Sequence, residues 1–346
     1  MNAKWTLVVV VLALAFAGST THGEEDTPKP INREALTKDV ASARQKGLDW
    51  LSKNQNADGS WGNNYTVGIT SMSCLAFLSA SDEPFEGHRG RTLVRGLLFL
   101  LNNQKNGMFQ TQGKGVSTWS HNQGFATAAL AEAFGRCRVC KVQPDLDTDA
   151  LRDVTEKAAT LIVENQAPTG GWGYRPGSQS DEGSTTVCAV QALVSAGNYG
   201  IEIDSNTIEK GFEYLKKCQN VDGSFHYIQG DGMSMKGGTA AGVATLALMR
   251  KFDFQVMINS YNFLLKFSPA AMSAPHTPWF FPYYGHYYGC MGMRLIGQEF
   301  QGDKKFDEDT SRYIAETQRD FVGWQQDDGS WPNKGWVLNQ ETGETV

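Results

Sequence analysis

Acidic and imidazole side chains occur beside aromatic residues at several points of this sequence. The candidate catalytic residues are His121, Asp181, Glu182, Asp231 and His286. The candidate ligand-binding residues are the aromatics Trp119, Tyr283, Tyr284, Tyr287 and Tyr288. If folding brings them together, they could carry acid–base chemistry or bind the polar end of an apolar ligand. Each also has a structural interpretation, as a helix cap, a hydrogen-bonded histidine or a packing aromatic.

A short motif recurs along the chain and determines how those residues are placed. It runs from a Gln, through a Gly, to an aromatic residue, in copies at 55–61, 166–172, 219–225 and 325–331, with a shortened copy at 104–109. The gap between Phe225 and Trp331 is twice that between Trp172 and Phe225, which predicts a decayed copy at 278–280. A period of about 50 residues indicates a repeat architecture.

Each copy separates two helix-like segments of different character. The preceding segments have the apolar spacing of amphipathic helices, at 39–54, 90–103, 151–165, 207–219, 256–267 and 309–325. The following segments are small, apolar and nearly uncharged, as buried helices are, at 71–80, 124–135, 184–197, 239–250 and 286–296. This alternation predicts an all-α protein in which an outer ring of helices surrounds an inner ring. We find no convincing strand. The candidate residues fall near the amino-terminal ends of the inner helices, which converge if the ring closes.

The motif has structural uses of its own. Its Gly accepts a positive φ at a turn, and its Gln can satisfy unpaired groups at a helix end. We expect the aromatic residue to stack across the junction and tie neighbouring hairpins together. The motif is therefore interpreted as structural and not catalytic.

The motif closely resembles the QW-type repeat of squalene and oxidosqualene cyclases and the related repeat of protein prenyltransferase β-subunits. The resemblance covers roughly residues 40–335. It implies an α/α-toroid of about six helical hairpins whose inner helix ends surround a central, often apolar, cavity. It does not fix the function, because one fold can serve several activities.

Class II terpene cyclases protonate their substrate with an Asp-x-Asp-Asp motif, which this chain matches only in part. The nearest match is 145–149, and it departs from the motif at its third position. Thr148 or Asp149 is predicted to cap the following helix instead. The chain also has residues for one helical barrel, whereas squalene cyclases usually have two.

Protein prenyltransferases hold a catalytic zinc with an Asp, a Cys and a His. Asp231 and His286 lie where the Asp and the His would be expected, but Met233 replaces the Cys. A thioether is a poor zinc ligand, and a catalytic zinc usually takes three protein ligands. We therefore predict no metal and no cofactor.

The amino terminus predicts export. Lys4 precedes an apolar run from Trp5 to Ala17, and small residues follow, so residues 1–23 are predicted to be a cleaved signal peptide. An uncleaved anchor is the alternative, although a bilayer span needs about 20 apolar residues. We assign 24–38 to a linker, 39–335 to the toroid repeat domain and 336–346 to a tail. The mature protein would be secreted or periplasmic.

Charge and cysteine content limit the partners. The formal net charge is −6, and the sequence contains no basic cluster. Both features argue against a nucleic-acid partner and against binding at an anionic membrane surface. Cys137 and Cys140 are close enough in sequence for a local disulfide, which we favour narrowly over two free thiols. The oligomeric state stays open.

Three functions remain. The first is a toroid that binds an apolar terpenoid, lipid or peptide without a complete cyclase or transferase site. The second is a diverged enzyme of the terpenoid cyclase or prenyltransferase type. The third is a scaffold that binds protein partners through its outer helices.

Overall fold

The computed structural model describes residues 32–109, 119–230, 236–266 and 282–332, and within them the fold is almost entirely helical. The amphipathic outer helices are α1 (Arg33–Lys53), α3 (Gly87–Asn102), α5 (Thr148–Glu164), α7 (Ser205–Cys218), α9 (Gln255–Lys266) and α11 (Lys304–Trp324). The inner helices are α2 (Thr66–Ala80), α4 (Trp119–Cys137), α6 (Gly183–Asn198), α8 (Lys236–Leu248) and α10 (Pro282–Glu299). The predicted all-α class and the alternation of helices are confirmed. Residues 1–31 and the predicted copy at 278–280 lie outside the described residues.

The chain divides into two compact units. Among the described residues, one comprises 32–47, 219–226, 236–266 and 282–332, and the other comprises 48–109, 119–218 and 227–230. In the second of these units, α4 packs against α2 on one side and α6 on the other, while α3, α5 and α7 pack against the inner helices that precede them. In the first, α8 packs against α10, and α9 and α11 pack against α8 and α10 respectively.

Burial separates the two classes of helix as their composition predicts. In α2, every residue from Val67 to Leu78 is buried, and the helix carries no charged side chain. In α5, only one face is buried, formed by Leu151, Val154, Thr155, Ala158, Ala159 and Ile162. Small residues on the inner helices allow close packing, since a methyl group added at Gly124 of α4 would lie 2.8 Å from the carbonyl oxygen of Cys188 on α6.

The Gln of the repeated motif links its own turn to the next outer helix. Gln55 Nε2 donates to the carbonyl oxygen of Gly59 at 2.9 Å and to that of Thr92 on α3 at 2.8 Å. Gln166 and Gln325 make equivalent pairs of bonds. The predicted role of the Gln as a partner for backbone groups is confirmed.

The last copy of the motif contacts the first helix. Gln325 Nε2 donates to the carbonyl oxygen of Ala43 on α1 at 2.8 Å. Gly329 has a φ of 89°, and an added Cβ would lie 2.6 Å from the carbonyl oxygen of Lys46. Glycine is required here both for its backbone conformation and for the close approach of α1. The last copy thus makes on α1 the contact that the copy at 55–61 makes on α3.

The Trp of the motif acts differently from the stacking role predicted for it. Trp61 Nε1 donates to the carbonyl oxygen of Leu51 on the preceding outer helix at 2.8 Å, and its backbone N–H donates to Thr70 Oγ1 of the following inner helix at 3.0 Å. Trp172 makes the same two bonds. The buried indole therefore holds one hairpin together, while the Gln and the Gly contact the next one.

Two further details differ from prediction. All five inner helices begin earlier than predicted, by up to five residues in α2 and α4, and α1 begins at Arg33 within the segment assigned to a linker. The shortened motif copy forms a small hairpin, β1 (Gln104–Lys105) with β2 (Met108–Phe109), whose turn residues Asn106 and Gly107 have φ values of 52° and 79°. Such a turn matches the twist of a hairpin.

Among the helices that the structure describes, none is long and apolar enough to cross a membrane.

Candidate functional site

Glu182 is the amino-terminal cap of α6 and is almost completely buried, with 1% of its surface exposed. Its carboxylate accepts the backbone N–H of Ser184 at 2.9 Å and that of Thr185 at 2.6 Å. It also accepts the Ser184 hydroxyl. A carboxylate is well placed at a helix amino terminus, where unpaired N–H groups and the helix dipole both favour negative charge. The capping interpretation of Glu182 is thus correct, but the cap also faces a histidine.

His121 lies in the first turn of α4 and joins this carboxylate through Ser184. The His121 Nε2 and Ser184 Oγ atoms are 2.9 Å apart. The other ring nitrogen, Nδ1, is buried and has no hydrogen-bond partner among the described residues. A continuous hydrogen-bonded chain therefore runs from Glu182 through Ser184 to His121, and it ends on an unused ring nitrogen.

Tyr174 and Tyr227 also belong to this group of residues. The sequence analysis identified neither of these tyrosines, nor Ser184. The Tyr174 and Tyr227 hydroxyls are hydrogen bonded to each other, and the Tyr174 ring centroid lies 5.6 Å from that of His121. Each follows the motif aromatic by two positions, Trp172 in one copy and Phe225 in the next. That shared position within the repeat was the signal that could have found them. We call His121, Tyr174, Glu182, Ser184 and Tyr227 the His121 cluster.

Burial controls the protonation of the cluster. It lowers the pKa of His121, and the nearby Glu182 carboxylate opposes that change. Burial, and then the Glu182 charge, raise the pKa of Tyr174 and of Tyr227. At neutral pH the imidazole and both phenols are therefore uncharged.

Trp119 opens α4 and is 6% exposed. Its indole N–H is buried and finds no acceptor among the described residues. The adjacent Ser120 holds the helix start in place, because its hydroxyl donates to the carbonyl of Gly173 and its N–H to that of Tyr174 at 3.3 Å.

Asp181 faces away from the His121 cluster although it precedes Glu182. Its carboxylate accepts the Thr169 hydroxyl. Burial, then Cys218, and then Asp181 raise the pKa of Tyr214 on α7. The backbone at Glu182 is extended, with φ −158° and ψ 161°, so successive side chains point to opposite sides. The structure thus separates two carboxylates that the sequence places side by side.

His286 lies in the other unit, in the second turn of α10, and is fully buried. Its ring centroid is 5.3 Å from that of Phe321 and 6.0 Å from that of Trp324, both on α11. Burial lowers the pKa of His286 to about 3. The imidazole is therefore a neutral member of an aromatic core.

The aromatic candidates beside His286 are also deeply packed. The Tyr283 hydroxyl donates to the carbonyl oxygen of Pro332 at 2.7 Å. Tyr288 lies between Tyr287 and Tyr284, with ring centroids 4.7 Å and 4.8 Å away. Tyr283, Tyr287 and Tyr288 are each at most 1% exposed. Asp231 and Met233 lie outside the described residues.

The acidic window at 145–149 serves as a helix cap. The cap is Asp147, whose Oδ1 accepts the N–H of Asp149 at 2.9 Å and that of Ala150 at 3.2 Å. The prediction that Thr148 or Asp149 is the cap was wrong by one or two residues, because the helix begins at Thr148. Within the described ranges, no group of three or more His, Cys, Asp or Glu residues could hold a metal ion.

All six cysteines are free thiols, so the favoured prediction of a local disulfide between Cys137 and Cys140 was wrong. Burial raises the pKa of Cys137 to about 11, and Cys140 Sγ donates to the carbonyl oxygen of Asp82 at 3.2 Å. Neither thiol is activated as a nucleophile.

The sequence matches the family model of the prenyltransferase alpha-alpha toroid domain over residues 31–207 and 199–270. The chain belongs to this family. It is 23% identical over 221 residues to a probable squalene–hopene cyclase of Sinorhizobium fredii, a match that covers 55% of this chain and 31% of the cyclase. The toroid fold implied by the repeated motif is therefore confirmed.

Solved structures with the same fold include proteins of different activity. An ent-copalyl diphosphate synthase from Streptomyces platensis is 16% identical with a TM-score of 0.52, over 85% of this chain and 50% of the synthase. A glycosidase is 14% identical with a TM-score of 0.52, over 83% of this chain and 86% of the glycosidase. The chain spans about a third of the cyclase and half of the synthase. At these identities the likeness shows the fold alone.

Proposed function

We propose that this domain binds an elongated apolar small molecule, of the terpenoid, lipid or apolar-peptide kind, whose polar end lies at the first turn of α4. Membership in the toroid family supports the apolar part of the proposal. The observation that carries it is that Trp119 Nε1 and His121 Nδ1 are both buried without a hydrogen-bond partner among the described residues.

Such groups are costly when nothing satisfies them. A buried polar atom that loses its partner costs about 1–3 kcal/mol, so two of them in one helical turn are a substantial penalty. A bound molecule that supplies hydrogen-bonding groups there would remove it, and the aromatic ring of Tyr174 offers an apolar surface beside the imidazole. Binding sites commonly combine apolar walls with a few polar groups.

We further propose that binding proceeds without the acid of a class II cyclase and without a catalytic zinc. The support for the first part is that Asp147 uses its carboxylate to cap α5. The support for the second is that Met233 stands in the sequence where a zinc site of the prenyltransferase kind would want a thiolate.

Native mass spectrometry of the mature protein, purified from a host that exports it, tests the proposal. We expect an apolar mass to co-purify, and we expect Trp119→Phe, which keeps the ring but removes the N–H, to retain less of it than Trp50→Phe on α1. A protein that carries no such mass and takes up none of the squalene, farnesol and farnesene added to it would refute apolar-ligand binding and favour the scaffold.

A diverged enzyme is the second candidate, because the chain from Glu182 to His121 could relay a proton. Mass spectrometry of added terpenoids after incubation would test it. Products that depend on His121 and Glu182 would favour the enzyme, and unchanged ligands would favour simple binding.

We also propose that the protein is exported to a secreted or periplasmic location, on the evidence of residues 1–23. Amino-terminal sequencing of the protein from a fractionated host checks this. A mature terminus near residue 24 in the exported fraction is expected, and an intact Met1 in the cytoplasm would contradict it.

A further inference from the structure

The hydrogen-bonded chain in the His121 cluster fixes where each proton lies. Glu182 Oε1 accepts the Thr185 N–H and the Ser184 hydroxyl, and Oε2 accepts the Ser184 N–H. A carboxylate only accepts hydrogen bonds, and a serine hydroxyl has one proton to donate. That proton is directed at Glu182, so Ser184 Oγ is an acceptor toward any other neighbour.

The direction of that bond selects one tautomer of His121. Besides Glu182, the neighbours of Ser184 Oγ are the Tyr174 hydroxyl and His121 Nε2, the latter at 2.9 Å, and His121 must supply the proton of its hydrogen bond to Ser184. Neutral imidazole carries a single N–H, so the proton lies on Nε2 and Nδ1 bears a lone pair. The unused atom of the cluster is therefore a hydrogen-bond acceptor.

The negative charge near His121 also favours an uncharged hydrogen-bond donor as the partner of Nδ1. Glu182 is the charged group whose field acts on His121, and it is negative. An anionic end group, such as a diphosphate or a carboxylate, would offer only acceptors to a bare lone pair and would also be repelled by Glu182. A hydroxyl group has the required donor and carries no charge.

We propose that the polar end of the bound molecule is an uncharged hydroxyl that donates a hydrogen bond to His121 Nδ1, so that the protein takes a long-chain apolar alcohol in preference to the corresponding diphosphate. The inference rests on the proposed binding function and specifies its ligand class. The Glu182–Ser184 pair acts in it as a positioning element, since it sets which nitrogen of His121 is free.

Binding of four probes with the same isoprenoid chain tests the inference. Farnesol, farnesene, farnesylamine and farnesyl diphosphate are titrated by calorimetry into the full-length protein. We expect farnesol to bind about tenfold more tightly than farnesene, which has no donor, and more tightly still than the diphosphate. If no probe binds, apolar-ligand binding itself fails. If farnesene binds but farnesol binds no more tightly, or if the diphosphate binds best, only the hydroxyl inference is overturned. Tightest binding of farnesylamine would likewise replace the hydroxyl by an ammonium.

Two variants separate the hydrogen bond from a merely structural effect. His121→Phe removes the acceptor and is expected to lower farnesol affinity to that of farnesene while leaving farnesene unchanged. Ser184→Ala frees the imidazole to adopt either tautomer, so the preference for farnesol over the diphosphate should shrink. Ser195→Ala on the same helix, whose hydroxyl bonds Glu132 at 3.1 Å instead, is the matched control. Equal preference in Ser184→Ala and Ser195→Ala, both folded by circular dichroism, would overturn the assigned proton directions.

Discussion

Replacing His286 should make the fold less sensitive to acid. An unfolded histidine titrates near its ordinary pKa of 6.5, whereas burial lowers the pKa of His286 to about 3. Between those two values the unfolded chain binds a proton that the folded chain excludes, so stability falls as the pH falls from 6.5 toward 3. Because the imidazole is fully buried between Phe321 and Trp324, solvent does not screen this effect.

The size of this loss in stability follows from how far the pH lies below the unfolded pKa. Each pKa unit corresponds to about 1.4 kcal/mol, so at pH 4.5, two units below 6.5, His286 alone should reduce the folding free energy by about 3 kcal/mol. Above pH 7.5 the cost should vanish, because the histidine is neutral in both states.

Urea unfolding at pH 7.5 and 4.5, followed by the fluorescence of the aromatic core that contains Trp324, measures this loss. The wild-type protein should lose about 3 kcal/mol more than His286→Gln, which cannot titrate. His88→Gln, at an exposed position in α3, is the control and should behave as the wild type. Equal losses in the wild type and in His286→Gln would refute the reasoning. If the variant does not fold, an imidazole proton resonance of His286 that titrates above pH 5 in the wild type would refute it equally.

Three substitutions test the structural motif by chemical denaturation. Gln325→Ala removes two hydrogen bonds, including the one to Ala43, and should destabilise the protein by about 1–3 kcal/mol. An unchanged free energy of unfolding would show that this contact is not formed in solution. Trp172→Ala should lower the free energy of unfolding by about 3–5 kcal/mol. Trp172→Phe should lower it distinctly less, since it loses mainly the bond to Ile162. Equal losses would contradict the packing role of the ring. Asp147→Ala should cost about 1 kcal/mol through the lost cap, whereas Asp147→Asn should cost little, and the reverse order would contradict capping.

The repeats could be recognised from sequence because each residue of the motif has a local use. The Gly of each full copy adopts a positive φ, and the indole of Trp61 bonds a carbonyl only ten residues earlier. Composition likewise distinguished buried from amphipathic helices, since burial of a whole helix requires side chains without charge. The start of α4 was placed less well, because its first turn contains polar residues that bond neighbouring elements, as Asn122 does by accepting the N–H of Gly68 on α2 at 3.0 Å.

The site was harder to predict because it depends on direction and not on residue type. Asp181 and Glu182 look equivalent in the sequence, but an extended backbone sends them to opposite sides. Ser184 and Tyr227 look like ordinary polar and aromatic residues, and only the packing of α4 beside α6 reveals that one of them connects a carboxylate to an imidazole. Asp231, by contrast, stays a prediction.

The bond between Gln325 and Ala43 has a consequence for the order in which the chain can mature. Its partners are 282 residues apart, whereas those of the equivalent bond from Gln55 are 37 apart. Closing the longer segment costs about 2 kcal/mol more in chain entropy. During synthesis, the carbonyl of Ala43 must also wait until Gln325 has emerged before its partner exists. The unit that contains Ala43 and Gln325 is thus completed only after α11 has emerged. A ribosome stalled before α11 would present α1 with its docking surface still open to chaperones, proteases or another nascent chain.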